Sequence, residues 1–211
     1  MPDWQIENKV FAQNIKRLGA LDEAGRGPWA GPVVAACVVL EFDFDLQEAS
    51  HALAGLRDSK KMTPIQRRDI LPKIKQFFPN YSLGIVSASG VDRYNILQAT
   101  FFAMLQAVNQ LAKPEPDFLL VDGNSIIPGM SVRQKAIING DNLSFSIAAA
   151  SVLAKSARDR IMEQADHDYP GYGFAKHKGY GTKQHRECLL KLGPCPLHRE
   201  SFAPVRDLLS I

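Results

Sequence analysis

The chain opens on an amphipathic pattern over residues 3–17 that predicts a helix. Two apolar runs follow, 18–24 and 32–40, and predict strands joined by a turn of glycine and proline. Thr63-Pro64 carries a helix-start signature, a capping hydroxyl followed by proline in the first turn, and this helix is predicted to reach about Phe77, ahead of Pro79. Residues 81–89 alternate as a strand does, 95–112 read as a helix, and "FLLVDG" (118–123) is a short apolar strand stopped by glycine. A strand over 131–138 leads through "NGD" to a long helical run over 144–165. Beyond 166, prolines, glycines and histidines dominate until short helices near 182–192 and 203–210. Strands come first and alternate later with helices, which predicts an α/β fold: a mixed β-sheet covered by helices. No repeat, low-complexity linker or break in composition divides the chain, so 1–211 is read as a single domain.

Composition narrows the class without naming a function. Of 211 residues 45% are hydrophobic and 22% charged, enough for a sizeable core. The longest apolar stretches fall short of the roughly 20 residues of a membrane helix, and the N-terminus lacks a signal core, so a cytoplasmic protein without membrane attachment is expected. Three cysteines, Cys37, Cys188 and Cys195, cannot all pair and do not suggest a secreted disulfide scaffold. The net charge of +3 permits a polyanionic partner without demanding one. Basic residues bunch at 57–75 and again at 176–186.

The acids carry the chemistry. Asp22 and Glu23 end the first apolar run, Asp122 ends "FLLV" just before Gly123, and Asp141 sits in a tight turn before the long helix. Consecutive strand residues point to opposite faces, so Asp22 and Glu23 can share a site only where the chain leaves the pleat, and Gly25 and Gly27 offer that departure. Ligands of α/β folds collect at the carboxyl ends of strands, which points all four acids to one crevice. Such a cluster repels itself unless cations neutralise it, and an all-oxygen donor set suits Mg²⁺ or Mn²⁺ better than zinc.

In order and spacing, "LDEAGRGPWAGPV" (21–33), "DSKKMTP" (58–64), "YNILQAT" (94–100), "LLVDGN" (119–124), "GDNLSFSIAAASVLAKSARDR" (140–160), "KHKGYGTKQH" (176–185) and "LHRESFAPV" (197–205) resemble bacterial ribonuclease HII. The resemblance implies a ribonuclease H-like mixed sheet flanked by helices, with a helical C-terminal portion. It implies four metal-binding catalytic acids at Asp22, Glu23, Asp122 and Asp141, and substrate contacts at Gly25, Arg26, Gly27 and Tyr180. Lys60, Lys61, Asn95, Lys155 and Lys178 are expected contacts to phosphate or backbone. Asp159, mid-helix in the "RDR" signature, is read as structural. Many relatives carry Lys before the Gly-Asp pair, where this chain has Asn139. The chain stops soon after "SFAPV", so no clamp-binding tail is expected.

The implied activity is a two-metal endonuclease that cleaves RNA in RNA–DNA hybrids and on the 5′ side of single ribonucleotides embedded in duplex DNA, leaving 3′-hydroxyl and 5′-phosphate ends. Such an enzyme must sense the 2′-hydroxyl, and glycine lets backbone approach a sugar closely. Its partners would be those nucleic acids, and a monomer is expected. Three readings compete. One is a zinc-stabilised binding module, from the spacing of His185, Cys188, Cys195 and His198; another is a hybrid-binding protein without catalysis; the third is a metal-dependent phosphatase for small molecules.

Overall fold

A computed structural model describes residues 2–210. The chain runs through α1 (Gln5–Phe11), β1 (Arg17–Ala24), β2 (Val33–Glu41), α2 (Leu46–Ala52) and a 3₁₀ turn (Ser59–Lys61) into α3 (Pro64–Phe77) and β3 (Tyr81–Val86). It continues through α4 (Ala88–Asn109), β4 (Phe118–Asp122), β5 (Arg133–Ile137), α5 (Gly140–Leu143) and α6 (Phe145–Asp168). The C-terminal portion is helical: α7 (Phe174–His177), α8 (Lys183–Leu192) and α9 (Ala203–Leu209). The sheet order is β3-β2-β1-β4-β5, with β1 antiparallel to β2 and parallel to β4. Among the described residues no helix is long and apolar enough to cross a membrane.

The two faces of β1 belong to different cores. Leu18 and Ala20 pack with α6, α1 and α3, whereas Leu21 packs with α4 on the other face. A run of small buried residues on α6, from Ala148 to Ala150 and again at Ala154, lets that helix lie close against the sheet. A third cluster, Met162, Ala165, Tyr172 and Phe174 with Ala30, fastens the C-terminal portion to α6 and to the loop after β1.

Most of the predicted elements are present, and the differences have local causes. The first helix ends at Phe11 rather than residue 17, because the chain turns through a left-handed Asn14 (φ 61°) into β1. The strand expected over 81–89 stops at Val86, because the Ser87 hydroxyl accepts the Gly90 N–H and starts α4 well before residue 95. Asn95 itself is a break in α4 (φ 63°), and its Oδ1 accepts the N–H groups of Leu97 and Gln98 to start the second half. The Thr63 capping box at the head of α3 is formed as the sequence predicts.

Candidate active site

Three segments deliver carboxylates to one end of the sheet. Asp22 lies on β1, Asp122 closes the neighbouring parallel strand β4, and Asp141 lies in α5. Their oxygens stand within 4.8 Å of one another, and among the described residues no other three His, Cys, Asp or Glu side chains meet that closely. Local backbone holds them. The Gly140 N–H donates to Asp122 Oδ1 at 2.6 Å, which ties the head of α5 to the end of β4. Asn139, just before, adopts the left-handed conformation (φ 55°), one that asparagine tolerates better than most residues.

Crowding shows in the acidities. Burial raises Asp22 well above the usual carboxylate range, and the charges of Glu23 and Asp122 raise it further. Burial and the charges of Asp122 and Asp58 raise Asp141 as well. Lys60 responds in the opposite sense: burial alone would lower it, but Asp22, Asp58, Asp141 and Glu23 outweigh that and raise it. The Lys60 shift records the negative charge around it, whereas those of Asp22 and Asp141 record burial first and that charge second.

Glu23 stands apart from the other three. Strand pairing continues to Ala24 opposite Val34, so Asp22 and Glu23 still alternate within the pleat, and the departure comes at Gly25 (φ 101°), the first of the two glycines expected to supply it. The Glu23 carboxylate pairs with Arg26 at 3.3 Å, and burial together with the Asp122 charge leaves it raised despite that partner. Lys61 is placed by Asn142, whose amide Nδ2 in turn donates to Asp141 at 2.7 Å. Tyr180 is 40% exposed, with the Lys155 ammonium 5.5 Å and the Arg158 guanidinium 5.8 Å from its ring centre. Lys155 and Lys178 are already engaged: Lys155 pairs with Asp159 at 2.6 Å and Lys178 with Glu163 at 2.7 Å. Asp159 also pairs with Arg67 at 3.1 Å, in keeping with its structural reading.

The zinc reading fails on geometry. Among the described residues no three of His185, Cys188, Cys195 and His198 bring ligand atoms within 4.8 Å of one another, since His198 meets His185 through Nε2 at 3.1 Å but Cys195 through the opposite ring nitrogen, Nδ1. Two residues that the sequence reading passed over hold the glycine loop from below. Arg158 and Arg199 are both fully buried, and both donate to its carbonyls. Arginine reads from sequence as a surface residue, and no spacing marks these two as interior.

Comparison with known proteins decides the family. The ribonuclease HII family model matches residues 19–205. The chain belongs to the ribonuclease HII family. Ribonuclease HII of Syntrophotalea carbinolica is 49% identical over 97% of this chain and 93% of its own length. That of Geobacter sulfurreducens is 47% identical over 98% and 91%. The ribonuclease H2 structure from Pyrococcus horikoshii OT3 aligns with a TM-score of 0.78 at 23% identity, over 92% of this chain and 97% of that one, and it confirms the fold. Membership in this family also displaces the phosphatase and the non-catalytic binding protein as readings of the chain.

Proposed function

We propose that this ribonuclease H endonuclease requires divalent cations held by Asp22, Asp122 and Asp141, with Glu23 as the fourth ligand. In this reading it cuts RNA in RNA–DNA hybrids and on the 5′ side of a lone ribonucleotide in duplex DNA. The carrying observation is the convergence of three carboxylates within 4.8 Å from three separate segments. Their all-oxygen donor set, and the raised proton affinity of Asp22 and Asp141, fit two hard cations, Mg²⁺ or Mn²⁺. Bound there, such ions supply Lewis-acid stabilisation of the phosphate and an activated water, so no protein nucleophile is needed.

The remaining residues bind and orient. Backbone at Gly25, Arg26 and Gly27 lies directly after the acids, where it can meet the ribose, and the half-exposed Tyr180 offers its hydroxyl to the 2′-position. Arg26 holds Glu23 beside the cluster. Lys60 brings positive charge among the acids, and Lys61, fixed through Asn142, faces the phosphate backbone. Asn95 presents the start of the second half of α4 to the duplex. Lys155 and Lys178 support the Tyr180 segment, since their ammonium groups are taken up by Asp159 and Glu163.

The test is incubation with a DNA duplex carrying one ribonucleotide, in Mg²⁺, in Mn²⁺ and in chelator, with the cut mapped on a denaturing gel. A single metal-dependent cut on the 5′ side of the ribonucleotide is expected. Scission that persists undiminished in chelator would overturn the reading.

A further inference from the structure

Two cations are buried where none would ordinarily be left. Arg158 and Arg199 have no exposed surface, and neither takes part in an ion pair among the described residues. A buried charge without a carboxylate is costly unless hydrogen bonds replace its water. Here backbone carbonyls replace it. Arg199 donates to the carbonyls of Gly25, Arg26, Pro28 and Gly31 at 2.6 to 3.1 Å, so one planar guanidinium gathers almost the whole turn after the acids. Arg158 donates to Ala30 and Pro32 at the far end of the same turn, at 3.0 and 2.9 Å.

The third bond of Arg158 runs elsewhere, to the carbonyl of Lys178 at 3.0 Å, two residues before Tyr180. Its guanidinium also faces the Tyr180 ring. The two segments meet again where the Trp29 N–H donates to the Gly179 carbonyl at 2.9 Å. Arg199 therefore holds the turn carrying Gly25, Arg26 and Gly27 in shape, and Arg158 ties that turn to the segment carrying Tyr180. Packing confirms the fit: a Cβ on Gly25 would lie 2.2 Å from Arg158 Nε.

We propose that Arg199 and Arg158 are positioning residues that set the spacing between the 25–27 backbone and Tyr180, and thereby fix the one register in which a lone ribonucleotide is cut. The proposal rests on the reading that those two elements flank the ribose. A run of ribonucleotides offers several registers for productive binding, whereas a lone ribonucleotide offers one. Loosening the clamp should therefore harm the second substrate more than the first.

Arg199→Lys keeps the charge, but a single ammonium cannot span four carbonyls. Cleavage is measured on a duplex with one ribonucleotide and on a continuous hybrid, with circular dichroism as the check of folding. Since a displacement of about 1 Å at a site can cost up to ~100-fold, the ratio of lone-ribonucleotide to hybrid kcat is expected to fall at least ~10-fold, with KM changed less than ~2-fold. Arg158→Lys should move the ratio in the same direction, and it decides the question if Arg199→Lys does not fold. Equal losses on both substrates, an unchanged ratio in the folded variants, or failure of both variants to fold would overturn the proposal and leave the pair a role in folding alone. Should the unaltered protein fail to cut at a lone ribonucleotide in either metal, the reading of the site falls first; a cutting protein with an unmoved ratio removes only the clamp.

Discussion

At the scale of single residues, Asp141 gives the sharpest test of the metal site. The residue is buried, and its carboxylate is bonded to Asn142 and within 4.8 Å of the oxygens of Asp22 and Asp122. Asp141→Asn preserves shape and removes one negative charge from the cluster. Several kcal/mol of transition-state stabilisation by a bound cation correspond to a loss of ~100-fold or more, while hybrid affinity in a binding assay should stay near that of the unaltered chain. Near-normal turnover would remove Asp141 from the ligand set. The two glycines of the turn separate by cause. Gly25 has φ 101° and would drive a Cβ into Arg158 and the Pro32 carbonyl, so the fold itself requires it. Gly27 lies outside the left-handed range and a Cβ there would meet nothing within 4 Å. Gly27→Ala should leave stability within about 0.5 kcal/mol in urea unfolding, yet lower cleavage at a lone ribonucleotide by ~10-fold or more if the sugar lies against that backbone. Unchanged cleavage would place the sugar elsewhere.

At the scale of elements, the head of α6 is where the site meets the scaffold. The Ser144 hydroxyl caps α6 by accepting the Ile147 N–H at 3.2 Å, and it donates to the buried Glu7 of α1 at 2.6 Å. The Ser146 hydroxyl and N–H also donate to Glu7, so α1 is docked onto the start of α6 and onto the adjoining α5 that carries Asp141. Ser144→Ala should cost about 1–2 kcal/mol in urea unfolding through lost cap and lost bond, and a change below ~0.3 kcal/mol would show that the cap is redundant. The sequence showed β1, β2, β4 and the body of α6 because uninterrupted apolar runs, stopped by glycine after β1 and β4, and a long stretch rich in alanine are continuous signals. It did not show α5 and α7, since four residues are too few to carry a helical period. The start of α4 was hidden because "SASGVDRYN" is polar and the capping bond of Ser87 is its only marker. Three of the acids were legible as strand-end and turn carboxylates converging on one crevice. The separation of Glu23 was not, because β1 stays paired with β2 through Ala24 and keeps neighbouring side chains on opposite faces, and how far that pairing runs has no marker in the sequence. Arg158 and Arg199 escaped for another reason: their partners are backbone carbonyls, which have no signature in sequence.

At the scale of the whole molecule, two sets of shifted groups pull stability in opposite directions with pH. Burial lowers His185 and His198 to about 4, where His185 stacks on His177 and meets Phe174 edge-on while His198 lies tilted against Phe174. The unfolded chain, with histidines near 6.5, binds protons that the folded one refuses, so this contribution is complete above about pH 6.5 and is lost as pH falls toward about 4. Asp22, Glu23 and Asp141 are raised, so the folded chain binds more protons than the unfolded one above the ordinary carboxylate value. Their ionisation therefore destabilises the metal-free fold as pH rises. A divalent cation competes with those protons and cancels that repulsion, so its stabilisation must grow with pH while the histidine contribution stays untouched. At a concentration 100 times its dissociation constant, a single bound cation adds about 2.7 kcal/mol, roughly 5–10 °C in Tm for a chain of this size. The Tm gain on adding Mn²⁺ is therefore expected to be several degrees at pH 8, to shrink toward pH 5, and to be smaller at both values in Asp141→Asn. A gain independent of pH, or equal in that variant, would mean that the cation binds elsewhere and that the crowded carboxylates are not its ligands.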